Sequence, residues 1–293
     1  MRDAGHARLG RELTAGSGVE CVFAHYADLF GRGQSQGEPD GLPDEAEAEV
    51  LSDLLVAWVD ALAAEDVSER DRRLLEHARA EAAPRGQTQG SLEVVRRAIN
   101  VATTVLSLKP WGDAAQWITP KLMVRQLAQV ARYLARGEDD EEGVGLDRRV
   151  RARVADVLGA GPVVVVAHSL GTVVALEALH EHPSDIRLLV TLGSPIAMRT
   201  VVWPRLVPQP PSVPETVAEW LNFWDRDDII AVRPHLERDV GANRAGVVPV
   251  SSRIDSDGVW VHSADKYLAQ PAVAGRVAEA LMSMASEPSG NSE

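Results

Sequence analysis

The rhythm of apolar and polar positions changes near residue 160. Ahead of it, apolar residues recur at helical spacing; behind it, they come in short unbroken runs. Val50, Leu54, Leu55, Trp58 and Leu62 form one stripe, and Asp44 stands where it can cap the helix that carries them. Residues 68–83 predict a second helix, highly charged, with Leu74 and Leu75 as its main apolar contribution. Residues 92–108 predict a third and more apolar one, and Pro120 at a helix start leads into a fourth over 122–135. Residues 146–158 predict another amphipathic helix. At the front, residues 6–15 read as the tail of a helix closed by Gly16-Ser17-Gly18, and residues 19–26 read as a short strand. The Gly, Pro, Gln and Ser residues between 31 and 43 mark a loop. So does the acidic run Asp139-Asp140-Glu141-Glu142 with Glu138, which reads as solvated.

Behind the change, Pro162-Val163-Val164-Val165-Val166-Ala167 is apolar throughout and rich in β-branched residues. That composition predicts a central strand of a parallel sheet, covered on both faces. A helix over 172–180 follows, then strands over 186–192 and 217–224, and a last helix over 271–285. Residues 286–293 predict a disordered polar tail. Alternating strands and helices make an α/β fold with a mostly parallel sheet and right-handed crossovers. One domain over 1–285 accounts for this order, with a helical insertion at about 40–140 ahead of the strand at 162–167.

Composition narrows the function classes. With 45% hydrophobic and 25% charged residues in 293, a packed core is attainable. The net charge of −13 and the lack of a basic cluster argue against a nucleic-acid partner. Cys21 is the single cysteine, so an internal disulfide and a cysteine-based zinc site are excluded. Its place in an apolar run predicts a small buried hydrophobe. Charge rather than an apolar stretch follows Met1, and no run approaches 18 apolar residues, so a soluble, cytoplasmic protein without integral membrane association is expected.

The chemistry gathers at Ala167-His168-Ser169-Leu170-Gly171, between the apolar strand and the helix after it. This is the small-x-Ser-x-small pattern of a nucleophile elbow, in which the turn is so tight that the positions two before and two after the serine must be small. Ala167 stands where glycine is usual. A serine nucleophile needs a base, and the base an orienting carboxylate, in the chain order Ser, acid, His. Of the eight histidines, His6, His25 and His77 come too early, His168 belongs to the elbow, and His180 and His182 end its helix as exposed residues. His235 and His262 remain, and His262, just ahead of the last helix, stands where the base belongs. Asp225, Asp227 and Asp228 crowd one strand end. Asp228, followed by Ile229-Ile230-Ala231, suits a partly buried carboxylate, while the other two read as solvated or turn-forming. Asp255 and Asp257 read as turn residues.

Taken together, these pieces resemble the α/β-hydrolases of the bacterial lipase and serine-esterase type. The matching residues are the elbow, Thr191-Leu192-Gly193-Ser194-Pro195, Trp220-Leu221-Asn222-Phe223-Trp224-Asp225 with Asp228-Ile229-Ile230-Ala231, and His262-Ser263 before Tyr267-Leu268. They cover roughly residues 160–275 in order. The resemblance implies cleavage of a small-molecule ester or related acyl bond through an acyl-enzyme on Ser169, with Asp228 and His262 completing the triad and the Leu170 N–H as an oxyanion donor. It implies no metal and no organic cofactor, and no HxxxH pattern or cysteine cluster is present.

The chain departs from this family at its front, where such enzymes place a strand ending in His-Gly whose loop gives a second oxyanion N–H. In one reading His25-Tyr26 stands in for that pair, and the N–H of Tyr26 or Ala27 joins that of Leu170. In the other, residues 19–26 are the next strand along, as in the Tyr-Gly-Asp-Leu segment of some bacterial relatives, and the oxyanion strand is missing; the helix-like segment at 6–15 favours this second reading. The extra helices suggest a cap over the pocket, with Trp111 and Trp117 near its mouth, although both also suit a plain core between helices. A binding protein on the same fold that lacks half its oxyanion hole, and does no chemistry, is the alternative function. A nucleotide-binding domain would need a glycine-rich loop after its first strand, and residues 24–30 supply none.

Overall fold

The computed structural model describes residues 19–31, 43–83, 91–108, 119–137, 139–159, 161–226, 228, 230–231, 234–256 and 261–286. The helix read at 6–15, Trp111, Trp117, Asp227, most of the loop at 31–43 and residues 287–293 lie outside them.

Among the described residues, five α-helices come first: α1 (Glu45–Ala63), α2 (Glu69–Ala82), α3 (Ser91–Leu106), α4 (Pro120–Ala135) and α5 (Leu146–Ala155). Local chemistry sets where they begin. Asp44 accepts the Glu47 N–H at 2.8 Å while the Glu47 carboxylate accepts the Asp44 N–H at 3.1 Å, a reciprocal capping box. Ser68 caps α2 through the Asp71 N–H, and Thr119 caps α4 through the Leu122 N–H ahead of Pro120. The stripe on α1 is buried, with Leu54 and Trp58 at 0% and 1% exposure, and it packs against α2, α3 and α4 in one continuous apolar cluster.

Four strands follow among the described residues, β1 (Val163–His168), β2 (Ile186–Leu192), β3 (Trp220–Asp225) and β4 (Pro249–Ile254), with α6 (Leu170–Glu181) between β1 and β2. They pair in the order β1-β2-β3-β4, all parallel. Alternation along β2 splits the core between the two faces. Leu189 joins the large cluster with α6 and the front helices, whereas Leu188, Val190 and Leu192 face a second cluster closed by α7 (Ala264–Leu268) and α8 (Pro271–Ser286).

Several expectations change here. Residues 19–26 are not a strand; they form an extended loop that ends in a 3₁₀ turn at Ala27–Phe30. Val22 and Phe23 are exposed, and so is Cys21, which is therefore not a buried hydrophobe. An apolar run becomes a strand only where a ladder partner receives it, and these residues have none among the described ones. β1 has apolar side chains toward both clusters as predicted, yet β2 is its one described strand neighbour, and Val166 is left exposed. The strand expected over 217–224 is regular over Trp220–Asp225, with Val217 joined by a single bridge to Ile186. β4 was not foreseen.

A buried charge network joins α4 and α5 to α6. Glu177 on α6 accepts the Tyr133 hydroxyl at 2.6 Å, Arg136 at 2.6 Å, Arg151 at 3.2 Å and the Val207 N–H at 3.0 Å. Asp147 closes it, bonded to the same two arginines at 2.7 and 2.8 Å. Removing one partner from such a network leaves the other charges buried and uncompensated. Glu177→Ala is therefore expected to lower unfolding free energy by about 3–5 kcal/mol. Urea unfolding measures this, and a loss below about 1 kcal/mol, the scale of an exposed pair, would show the network to be solvated.

Candidate active site

β1 ends at His168, and the chain turns directly into α6 at Leu170. Between them Ser169 sits at φ 53°, ψ −127°, a conformation that costs a non-glycine residue roughly 1–3 kcal/mol. Hydrogen bonds hold it there. The Ser169 N–H donates to the Leu192 carbonyl at 3.0 Å, extending the β1–β2 ladder by one residue. Its carbonyl accepts the Thr172 N–H at 3.0 Å and the Thr172 hydroxyl at 2.7 Å. The Thr172 hydroxyl in turn accepts from Ser194 at 2.8 Å, and Ser194 accepts the Ile196 N–H at 3.2 Å. The loop after β2 therefore buttresses the turn after β1.

The Ser169 Oγ lies 2.8 Å from His262 Nε2, and His262 Nδ1 lies 2.9 and 2.8 Å from the two oxygens of Asp228. Asp228 and His262 are 4% and 6% exposed, so bulk water screens the pair little. β3 delivers Asp228 through a tight loop. The Asp228 N–H bonds the Asp225 carbonyl, the Ala231 N–H bonds the Asp228 carbonyl, and the Asn222 side chain holds the Pro234 carbonyl at 2.7 Å. β4 and the turn after it deliver His262, two residues ahead of α7.

Burial alone would raise the Asp228 carboxyl, but His262, the Tyr267 hydroxyl and the Ile230 N–H outweigh it and hold the group below the usual carboxylate range. The Tyr267 bond is short, 2.6 Å from Oη to Oδ2, and the Asp225 N–H donates to the same phenol oxygen at 3.2 Å. Tyr267 is thus oriented by β3 and itself orients the acid. Ionised Asp228 fixes the proton of His262 on Nδ1 and leaves Nε2 to accept from the serine.

Gly193, just past β2, lies against this pair. Its φ is +54°, and a Cβ there would fall 2.7 Å from Asp228 Oδ2 and 3.2 Å from His262 Nδ1, so only glycine fits. His168 packs its ring 4.7 Å from that of His262. Burial, and then the neighbouring His262, lower its pKa to about 4, so it stays neutral and adds no competing charge.

The structure brings together Ser169, Asp228 and His262 from the sequence-predicted residues. Leu170 opens α6, where the first N–H groups have no intrahelical acceptor and point toward the serine's end of the helix. Tyr26 reaches the elbow through its side chain, the hydroxyl lying 3.2 Å from the position a Gly171 Cβ would take. Asp225 is not solvated; it is 3% exposed and accepts the Ser256 N–H at 2.7 Å. His180 and His182 are half-buried rather than exposed, bonded to the Ser212 carbonyl and to Ser184. His235 lies with its Nδ1 3.2 Å from the Glu237 carboxylate. Sequence reasoning missed Tyr267 as a partner of the acid; its position five residues after His262 was the one available signal. Among the described residues no group of three or more His, Cys, Asp or Glu could hold a metal ion, and no helix is long and apolar enough to cross a membrane.

Residues 135–240, somewhat more than a third of the chain, match the family described as alpha/beta hydrolase fold. The matched stretch contains Ser169 and Asp228 and stops short of β4 and His262. No curated protein and no solved structure matches the chain.

Tyr267→Phe removes one hydrogen bond to a buried carboxylate, worth about 1.5 kcal/mol, or tenfold in a rate that depends on it. The Asp228 pKa then rises toward its ordinary value. A depressed pKa contributes stability that is present above the unfolded value and lost as pH falls through the folded one. The variant should therefore lose melting temperature at a higher pH than wild type on the acid side, while the two curves run parallel above the carboxylate range. Superimposable curves would show that the phenol does not hold the acid down.

Proposed function

Because the chain is built on an alpha/beta-hydrolase fold, we propose that it is a serine hydrolase that cleaves an ester or related acyl bond. The carrying observation is the unbroken hydrogen-bond chain from Asp228 through His262 to Ser169, with the serine half-buried at a helix N-terminus. In this reading the Ser169 Oγ attacks the substrate carbonyl carbon, its proton passes to His262 Nε2, and the carbonyl π electrons move onto oxygen. The Leu170 N–H, at the positive end of the α6 dipole, stabilises that oxyanion. When the tetrahedral intermediate collapses, His262 returns the proton to the leaving alkoxide and an acyl-Ser169 remains. Water, activated by the same histidine, then releases the acid.

Asp228 keeps its charge throughout and stabilises the imidazolium across 2.8 Å. Its depressed pKa supports that role. The neutral His168 ring beside the base supports it too, since a second cation there would oppose protonation of His262.

Labelling with a fluorophosphonate probe, together with turnover of short p-nitrophenyl esters, tests the assignment. Wild type should label, and Ser169→Ala should lose both labelling and turnover. Asp228→Asn should keep the fold but drop kcat by about 10³–10⁴, since it favours the wrong imidazole tautomer. Labelling that survives Ser169→Ala would remove the nucleophile from this site. A folded wild type that neither labels nor turns over any ester would instead fit a protein that binds an acyl ligand without cleaving it.

A further inference from the structure

We propose that the Tyr26 side-chain hydroxyl is a catalytic residue, the second oxyanion donor of the site, acting beside the backbone N–H of Leu170. The inference rests on the serine-hydrolase reading of Ser169 and deepens it.

The geometry begins at Gly171. A Cβ built there would meet one atom within 4 Å, the Tyr26 hydroxyl oxygen at 3.2 Å. Side chains on a helix lean toward its N-terminus, so the space above Gly171 lies over the turn formed by Ser169 and Leu170. The Tyr26 hydroxyl therefore lies against the first turn of α6, next to the elbow. It bonds no described residue, although burial of the ring pushes its pKa up to about 12. With its pKa raised, the hydroxyl keeps its proton, and a half-buried donor stands beside the elbow with no described residue accepting from it. The substrate oxygen is the acceptor that the reaction would bring.

Three contacts fix the tyrosine. The Leu29 N–H closes the 3₁₀ turn on the Tyr26 carbonyl at 3.1 Å, and Arg153 holds the His25 carbonyl at 3.3 Å. The Tyr26 ring packs 6.3 Å from that of Phe30, which is buried in the main core. A donor held this way costs little reorganisation when charge develops on the oxygen. It also answers the departure of the front of the chain from the usual His-Gly strand. The loop at 19–26 forms no ladder, and it offers the site a side-chain O–H where the strand would have offered a backbone N–H. In the chemical step the hydroxyl keeps its proton: the Ser169 Oγ–C bond forms, the carbonyl electron pair moves to oxygen, the serine proton goes to His262, and Tyr26 donates a hydrogen bond to the oxyanion.

The test compares wild type, Tyr26→Phe, Gly171→Ala and Ser169→Ala on a short p-nitrophenyl ester, with a trifluoromethyl ketone as a stable mimic of the tetrahedral adduct. Loss of one oxyanion donor is expected to lower kcat by about 10²-fold, with KM within about twofold of wild type. The trifluoromethyl ketone should lose affinity in the same proportion as kcat/KM, which a loss of packing alone would not produce. Gly171→Ala, whose methyl would push the hydroxyl aside by a few tenths of an ångström, should show a smaller loss of kcat and ketone affinity in the same proportion and serves if Tyr26→Phe does not fold. A folded Tyr26→Phe that retains kcat and ketone affinity within about threefold overturns the proposal and leaves Ser169 as nucleophile untouched. A wild type whose ester turnover is unaffected by Ser169→Ala overturns both readings.

Discussion

A serine held at positive φ between a strand and a helix is the constraint on which the site depends. The strain is of the order of 1–3 kcal/mol, and a single hydrogen bond contributes about 1, so no one contact secures the turn. It is secured from both sides, by the Leu192 carbonyl on the N–H and by Thr172 on the carbonyl, with Ser194 behind Thr172. Both outer anchors belong to the end of β2, as does Gly193, whose missing side chain leaves room for Asp228 and His262. Ser169, Asp228 and His262 thus share one support. The two residues on either side of Gly193 hold the turn of Ser169, and Gly193 itself sets how close the acid–base pair can come.

The acid is protected in a similar way. Burial disfavours the charge of Asp228, and three donors oppose burial: His262, Tyr267 and the Ile230 N–H. Tyr267 is in turn tied to the backbone of Asp225 at the end of β3. The phenol thus connects the last residue of a strand, the Asp228 carboxylate and the short helix that follows His262.

Much of this was legible in the sequence wherever the signal is local. The Asp44 cap, Pro120 and periodicity placed the front helices because such signals act within a helix's own first turns. The elbow was legible because a tight strand-to-helix turn demands small residues two positions either side of Ser169. What could not be read depends on partners distant in the chain. β4 starts with proline and continues Val250, Ser251, Ser252 and Arg253, and lies at the sheet's edge, so its apolar alternation is weak. Residues 19–26 carry a better strand pattern than β4 does, yet no described neighbour pairs with them. Asp225 looked like a surface turn residue because nothing nearby in sequence announces the Ser256 N–H, 31 residues on. Tyr267 lies 39 residues beyond Asp228, and a hydrogen bond over that separation leaves no trace in periodicity.

The exposed Cys21 has a use that its chemistry alone would not suggest. It is the chain's one thiol, five positions ahead of Tyr26 on the same loop, and it faces solvent. A fluorophore or spin label attached there needs no cysteine to be removed elsewhere. It would report the local mobility of the segment that carries the tyrosine, in free protein and with an inhibitor bound, without touching any group that reacts.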